Sequence, residues 1–163
     1  MKRWEEDKKW SDKFLPEIKR HLGEYLIGEP KHIEEDMNNN TDLIVLELRA
    51  IRIACRVRRD QYREKYGSQF TIRTERQTSN KTELTKIIEG WGDYMFYGFG
   101  GERNLTQWFI GDLNAFRLWF NGEIVRRKGG LPGTLHGNPD GSSDFRAFDK
   151  NSIPNFIIAE KAV

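Results

Sequence analysis

Ile51-Arg52-Ile53-Ala54-Cys55-Arg56-Val57-Arg58 alternates along its length. Ile51, Ile53, Cys55 and Val57 fall on one side, and Arg52, Ala54, Arg56 and Arg58 on the other. This is the period-two pattern of a strand with one apolar and one basic face. Thr41 to Leu48, just before it, is short, rich in Leu, Ile and Val, and bounded by turn residues. With only Glu47 to Ile51 between them, the two segments predict an antiparallel hairpin. Phe70-Thr71-Ile72-Arg73-Thr74 reads as a third strand.

Upstream, Trp10, Phe14, Ile18, Leu22 and Tyr25 recur at spacings of three and four, which predicts an amphipathic helix. Pro16 is tolerated only near its start, so the regular part spans about Leu15 to Leu26 before Gly28 and Pro30 stop it. Glu34-Glu35-Asp36 and Asn38-Asn39-Asn40 read as a connecting turn. Downstream, Asn80 is the expected cap of a second helix, with Glu83 at the capping-box position and Leu84, Ile87, Ile88 and Trp91 as the apolar face. Tyr94 to Phe99 and Leu105 to Ile110 form a strand pair turned by Gly100-Gly101-Glu102. Asp112 caps a short helix through Leu113, Phe116 and Phe120. Gly129 to Ser143 reads as a long loop, and Phe145 to Phe148 and Phe156 to Ala159 as two edge strands.

The expected class is mixed α/β, with a central mixed sheet and flanking helices in one domain over 1–163, loop-rich from about residue 121. The early connections are too short for crossovers, which excludes a purely parallel doubly wound sheet. Charged residues make up 32% of the chain, but 12% aromatics are too many for a disordered solvating sequence. The longest apolar runs, such as Leu43-Ile44-Val45-Leu46, fall far short of the ~20 residues that span a bilayer. No apolar signal core occupies the first residues, and the single Cys55 permits no internal disulfide and no thiolate cluster. These features predict a cytoplasmic protein with no membrane partner.

Charge is unevenly spread. Residues 1–50 carry 9 basic and 12 acidic side chains, residues 51–90 carry 10 and 5, and residues 91–163 carry 8 and 8. A basic middle points to a surface that faces a polyanion. Arg52, Arg56 and Arg58 project from one strand face, where each is paired with acids such as Asp42, Glu47 and Glu75 or is available to an anion. His21, His32 and His136 have no metal-ligand spacing, and His21 reads as a solvated helix residue. Gly98-Phe99-Gly100-Gly101 lacks the ending of a phosphate loop, and Cys55 reads as a buried small hydrophobe. Asp42 opens its strand either as a turn cap or as a ligand for a divalent cation, with Glu17 as a second carboxylate.

The order of these segments resembles the PD-(D/E)XK nuclease-like superfamily. The likeness runs over about residues 14–120. It comprises the helix with Glu17, the strand with Asp42, the basic strand Ile51 to Arg58 and the strand Phe70-Thr-Ile-Arg. The Thr-Glu helix from Lys81, the Tyr97-Gly98 strand and Ile110 to Arg117 complete it. It is similar to small proteins of phages and mobile elements, and implies a restriction-endonuclease-like core. In that family the strand aspartate and an acid on the next strand bind Mg²⁺ or Mn²⁺, and a lysine two residues on helps activate water. Asp42 matches the aspartate. The acid-x-Lys position has no acid: with Arg56 in place of lysine the acid slot holds Ala54, and with Arg58 it holds Arg56.

The resemblance therefore implies a nuclease-like protein with a degenerate site. It would bind nucleic acid, or a host nucleoprotein complex, through Arg52, Arg56, Arg58, Arg73 and Lys81, as a phage protein that blocks a host defence would. Alternatively it implies an active Mg²⁺- or Mn²⁺-dependent nuclease, with Asp42 as metal ligand, Glu17 as auxiliary ligand and Arg56 as the catalytic charge. A third reading is an assembly protein that joins subunits through Trp91 to Phe99 with Trp108, Trp119 and Phe120.

Overall fold

The described residues of the computed structural model are 3–28, 44–45, 51–76, 81–138, 141 and 143–162. They belong to two compact units, Met1–Ala50 and Ile51–Val163. The first contains helices α1 (Arg3–Asp12) and α2 (Leu15–Leu26), and strand β1 (Ile27–Gly28) paired antiparallel with β2 (Ile44–Val45). Helix α2 has the bounds that the apolar spacing predicts, and it places Ile18 on a buried face. Buried Phe14 sits between α1 and α2 and meets Trp10 edge-on at 5.7 Å. Helix α1 has no apolar stripe to announce it. Its acidic first turn and a Lys8–Asp12 pair one turn apart favour it instead.

The second unit begins with β3 (Ile53–Arg59), a 3₁₀ turn (Asp60–Tyr62), α3 (Arg63–Tyr66), β4 (Gln69–Arg76) and α4 (Glu83–Ile88). It continues through β5 (Tyr94–Gly100), β6 (Leu105–Asp112), α5 (Leu113–Arg126), β7 (Thr134–Gly137), β8 (Ser143–Asp149) and β9 (Ile157–Ala162). Two sheets result, one ordered β3-β5-β6-β9 and the other β4-β8-β7. The architecture is mixed α/β.

Four expectations need correcting. The hairpin is not formed among the described strands: β2 pairs with β1, while β3 pairs with β5 in parallel, Arg56 opposite Tyr97. Residues 60–93 supply the crossover that a parallel pair requires. The cap of α4 is Thr82, whose Oγ1 accepts from the Thr85 N–H, which puts Glu83 at the first helical position; Asn80 lies outside the described residues. The stretch Gly129 to Ser143 contains a strand, β7, held against β8, and the Arg146 guanidinium gathers the carbonyls of Leu131, Pro132 and Gly133. Strand β8 is therefore central to its sheet rather than an edge, whereas β9 is an edge.

Other expectations match. β5 and β6 form the antiparallel aromatic pair, and the Asp112 side chain accepts from the Asn114 and Ala115 N–H groups to start α5. The core of this unit lies between the sheets and α5. Phe70, fully buried, contacts Tyr97, Phe109, Phe116, Phe148 and Phe156 at centroid separations of 4.9–6.2 Å. Of the aromatics considered for a subunit interface, Trp108, Phe120 and those from Phe96 to Phe99 are buried in the core, while Trp91 is exposed. Trp119 packs partly buried against that core. At Gly111 a Cβ would run into the Phe156 ring, so the close approach of β6 to Phe156 requires glycine.

Candidate functional site

The parallel register decides where the arginines go. Ala54, Arg56 and Arg58 sit opposite Met95, Tyr97 and Phe99, residues of the inter-sheet core, so the basic face of β3 is turned toward the second sheet. A guanidinium there must be met by hydrogen bonds or stay wet. Arg56 is met: Nη1 donates to the Thr71 carbonyl at 2.6 Å and Nη2 to Glu83 Oε2 at 2.6 Å. The same carboxylate oxygen accepts from the Arg73 N–H at 3.1 Å, and Thr71 Oγ1 lies 3.2 Å from the Tyr97 hydroxyl. Arg56 thus ties β3 to β4 and α4 and, through Thr71, to β5. Pairing with acid is what the residue finds, but through Glu83. Asp42 and Glu47 lie outside the described residues, as does the side chain of Glu75.

Next to this network lies an open cleft of about 450 Å³. Its apolar lining is Ala54, Ile87 and Leu113 with the β3 segment at Ile53, and its charged lining is Arg52, Arg56, Arg73, Lys86 and Glu83. Among the described lining residues there are four cations and one carboxylate, Glu83, and that carboxylate is already engaged with Arg56. Arg52 and Lys86 are exposed, and neither forms an ion pair among the described residues. The remaining wall is Trp91, 59% exposed, with the Arg52 guanidinium 5.6 Å from its ring centroid. The sequence places Trp91 on the apolar face of α4. In the fold the helix ends at Ile88, three residues earlier, and the indole projects into solvent.

The turn that carries Trp91 is firmly held. Gly90 and Gly92 have φ of +96° and +85°, a conformation that costs other residues energy. The Gly90 N–H donates to the Ile87 carbonyl and the Trp91 N–H to that of Lys86, both at 3.0 Å. Arg117 Nη1 donates to the Ile87 and Gly92 carbonyls, each at 3.2 Å. Asp93 closes the turn onto β3: its N–H donates to the Arg52 carbonyl at 2.9 Å, and its Oδ2 accepts from the Arg52 N–H at 2.8 Å.

No family model, no curated protein and no solved structure matches the chain.

The residues singled out from sequence are thus distributed unequally. Arg52, Arg56 and Arg73 share the cleft. Arg58 lies over the rings of Tyr62 and Tyr66, at 4.7 and 5.5 Å from their centroids. Lys81 is exposed and paired with both carboxylate oxygens of Glu89 at 2.7 Å. Glu17 belongs to the first unit, where its Oε1 is 3.8 Å from Nε2 of His21. His21 is buried rather than solvated, because it falls on the same helix face as buried Phe14 and Ile18. Asp42 lies outside the described residues. Among the described residues no three His, Cys, Asp or Glu side chains come together.

Cys55 is exposed rather than buried, yet its surroundings remove enough water from the thiol to raise its pKa, which leaves it protonated and a poor nucleophile. Lys86 and Trp91 are the site residues that sequence reasoning missed. The Gly-Trp-Gly sequence at 90–92 is the signal that marks Trp91 as a turn residue.

Proposed function

We propose that the chain binds nucleic acid through the basic cleft of its second unit. The observation that carries this reading is the grouping of Arg52, Arg56, Arg73 and Lys86 in one open cleft, with Glu83 as the carboxylate among its described lining residues. Arginine and lysine at such a wall suit phosphate oxygens, Arg by its planar fork and Lys as a point charge. The Arg56–Glu83 pair gives the wall a fixed shape, while exposed Arg52 and Lys86 supply charge that a strand can reach. The nuclease-like ancestry belongs to the same proposal. The basic strand, the Thr82-Glu83 helix and the Tyr97-Gly98 strand would be the inherited scaffold, kept for binding after the acid-x-Lys position was lost. A phage or mobile-element protein acting on nucleic acid or a host nucleoprotein complex fits this reading.

A salt titration of binding tests it. With a labelled single strand in EDTA, the logarithm of the association constant should fall linearly with the logarithm of salt concentration between about 50 and 300 mM. Two to three phosphate contacts on a single strand correspond to a slope of about −2. Affinity that does not respond to salt over this range would contradict binding at a cationic wall.

A further inference from the structure

Arg52, Arg56, Arg73 and Lys86 account for a phosphate chain, but they do not account for Trp91. Tryptophan is highly buried on average. Trp91 is instead 59% exposed, and it stands on a turn fixed by two left-handed glycines, Arg117 and Asp93. A Cβ at Gly92 would lie 2.9 Å from Leu113 Cδ1, so the turn is also packed closely onto α5. The Arg52 guanidinium sits within cation–π range of the ring. The floor beside them is apolar, formed by Ala54, Ile87 and Leu113.

We infer that this cleft holds single-stranded nucleic acid, with one unpaired base stacked on the Trp91 indole and the flanking phosphates on Arg52 and Lys86. The inference rests on the nucleic-acid reading of the cleft and narrows it. In a duplex the faces of each base are covered by its neighbours, and only base edges and phosphates are offered. A rigid aromatic beside an apolar floor has nothing to stack on there. An unpaired base offers its π-face to any aromatic platform, whatever its identity, and cations beside the platform follow the backbone. A concave space of about 450 Å³ is of the size that takes a small molecule or a single nucleotide.

Fluorescence anisotropy in EDTA separates the two levels of the proposal. Three labelled probes are compared: a thymidine strand of about 15 nucleotides, its duplex with the complementary strand, and a strand of equal length that lacks bases. Wild type should bind the thymidine strand more tightly than the duplex, and the abasic strand about tenfold more weakly than the thymidine strand. Trp91→Ala should lose about the same factor on the thymidine strand without changing the salt slope, and Trp91→Phe should recover most of it. Near-ultraviolet circular dichroism checks that both variants fold, and the abasic comparison needs no variant at all. An abasic strand or a duplex bound as tightly as the thymidine strand would overturn the stacking inference while leaving nucleic-acid binding in place. Failure to bind any probe would overturn both.

Discussion

Replacing Arg52 and Lys86 together by glutamate should weaken strand binding on the order of a hundredfold at low salt, and should leave thermal stability nearly unchanged. Both side chains are exposed, and neither forms an ion pair among the described residues, so their removal gives up only the exposed Arg52–Trp91 contact. The structural role of Arg52 is carried by its backbone, which exchanges hydrogen bonds with Asp93 and survives substitution. Surface changes of this kind usually alter stability by no more than about 0.5 kcal/mol. Binding is different, because the wall loses two attractions and gains two repulsions toward the same phosphates. The slope of affinity against salt should also become shallower by about 1.4, roughly 0.7 for each of the two phosphate contacts removed on a single strand. Anisotropy titrations at several salt concentrations, beside a melting curve, read both quantities. A double variant that binds like wild type would remove the cleft from the account.

Glu83→Gln should move stability and binding in opposite directions. The Glu83 carboxylate is the one negative group among the described residues of the cleft wall, and it also neutralises Arg56 and accepts from the Arg73 N–H. Glutamine keeps the shape and one acceptor oxygen but not the charge. Arg56 and Glu83 side chains are 31% and 25% exposed, between a surface pair and a fully buried one. The expected loss of stability is accordingly about 1–2 kcal/mol, discounted for solvent screening. Binding should tighten by about fivefold at low salt, because the wall becomes one unit more positive, and the gain should fade as salt screens it. Chemical denaturation and anisotropy on the same preparation give both signs. Weaker binding, with the fold intact, would mean that Glu83 contacts the ligand rather than only holding Arg56.

Much of the fold was legible because its signals are local. The spacing of Phe14, Ile18 and Leu22 and the stops at Gly28 and Pro30 bracket α2 closely. Asp112 announces α5, and the alternating aromatics on either side of Gly100-Gly101 announce the β5–β6 pair. What failed was long-range. The alternation in β3 identifies its two faces, but not its partner. Proximity in sequence favoured the Thr41–Leu48 segment, whereas the parallel partner β5 lies beyond β4 and α4. That choice decides the site, because pairing with β5 turns Arg56 between the sheets, where Thr71 and Glu83 await it.

The basic character of the site was legible in the excess of charge over residues 51–90 and in Arg52, Arg56 and Arg73. Lys86 and Trp91 were not, for a physical reason. Read as one amphipathic helix, residues 83–91 bury Trp91 with Leu84 and Ile87. The helix instead ends at Ile88, since Gly90 takes a positive φ, and the indole leaves the core. Buried His21 was missed for want of a tertiary context, although its spacing from Phe14 and Ile18 is plain in the sequence.

The most direct test is to map the binding surface by nitrogen–proton correlation spectra of the protein titrated with an unlabelled single strand in EDTA. The largest shifts are predicted for the amides of Arg52 to Ala54 and of Lys86 to Asp93, which frame the cleft. Shifts that instead fall on the exposed Leu118 and Val125 of α5, with the amides of the cleft unmoved, would contradict the account.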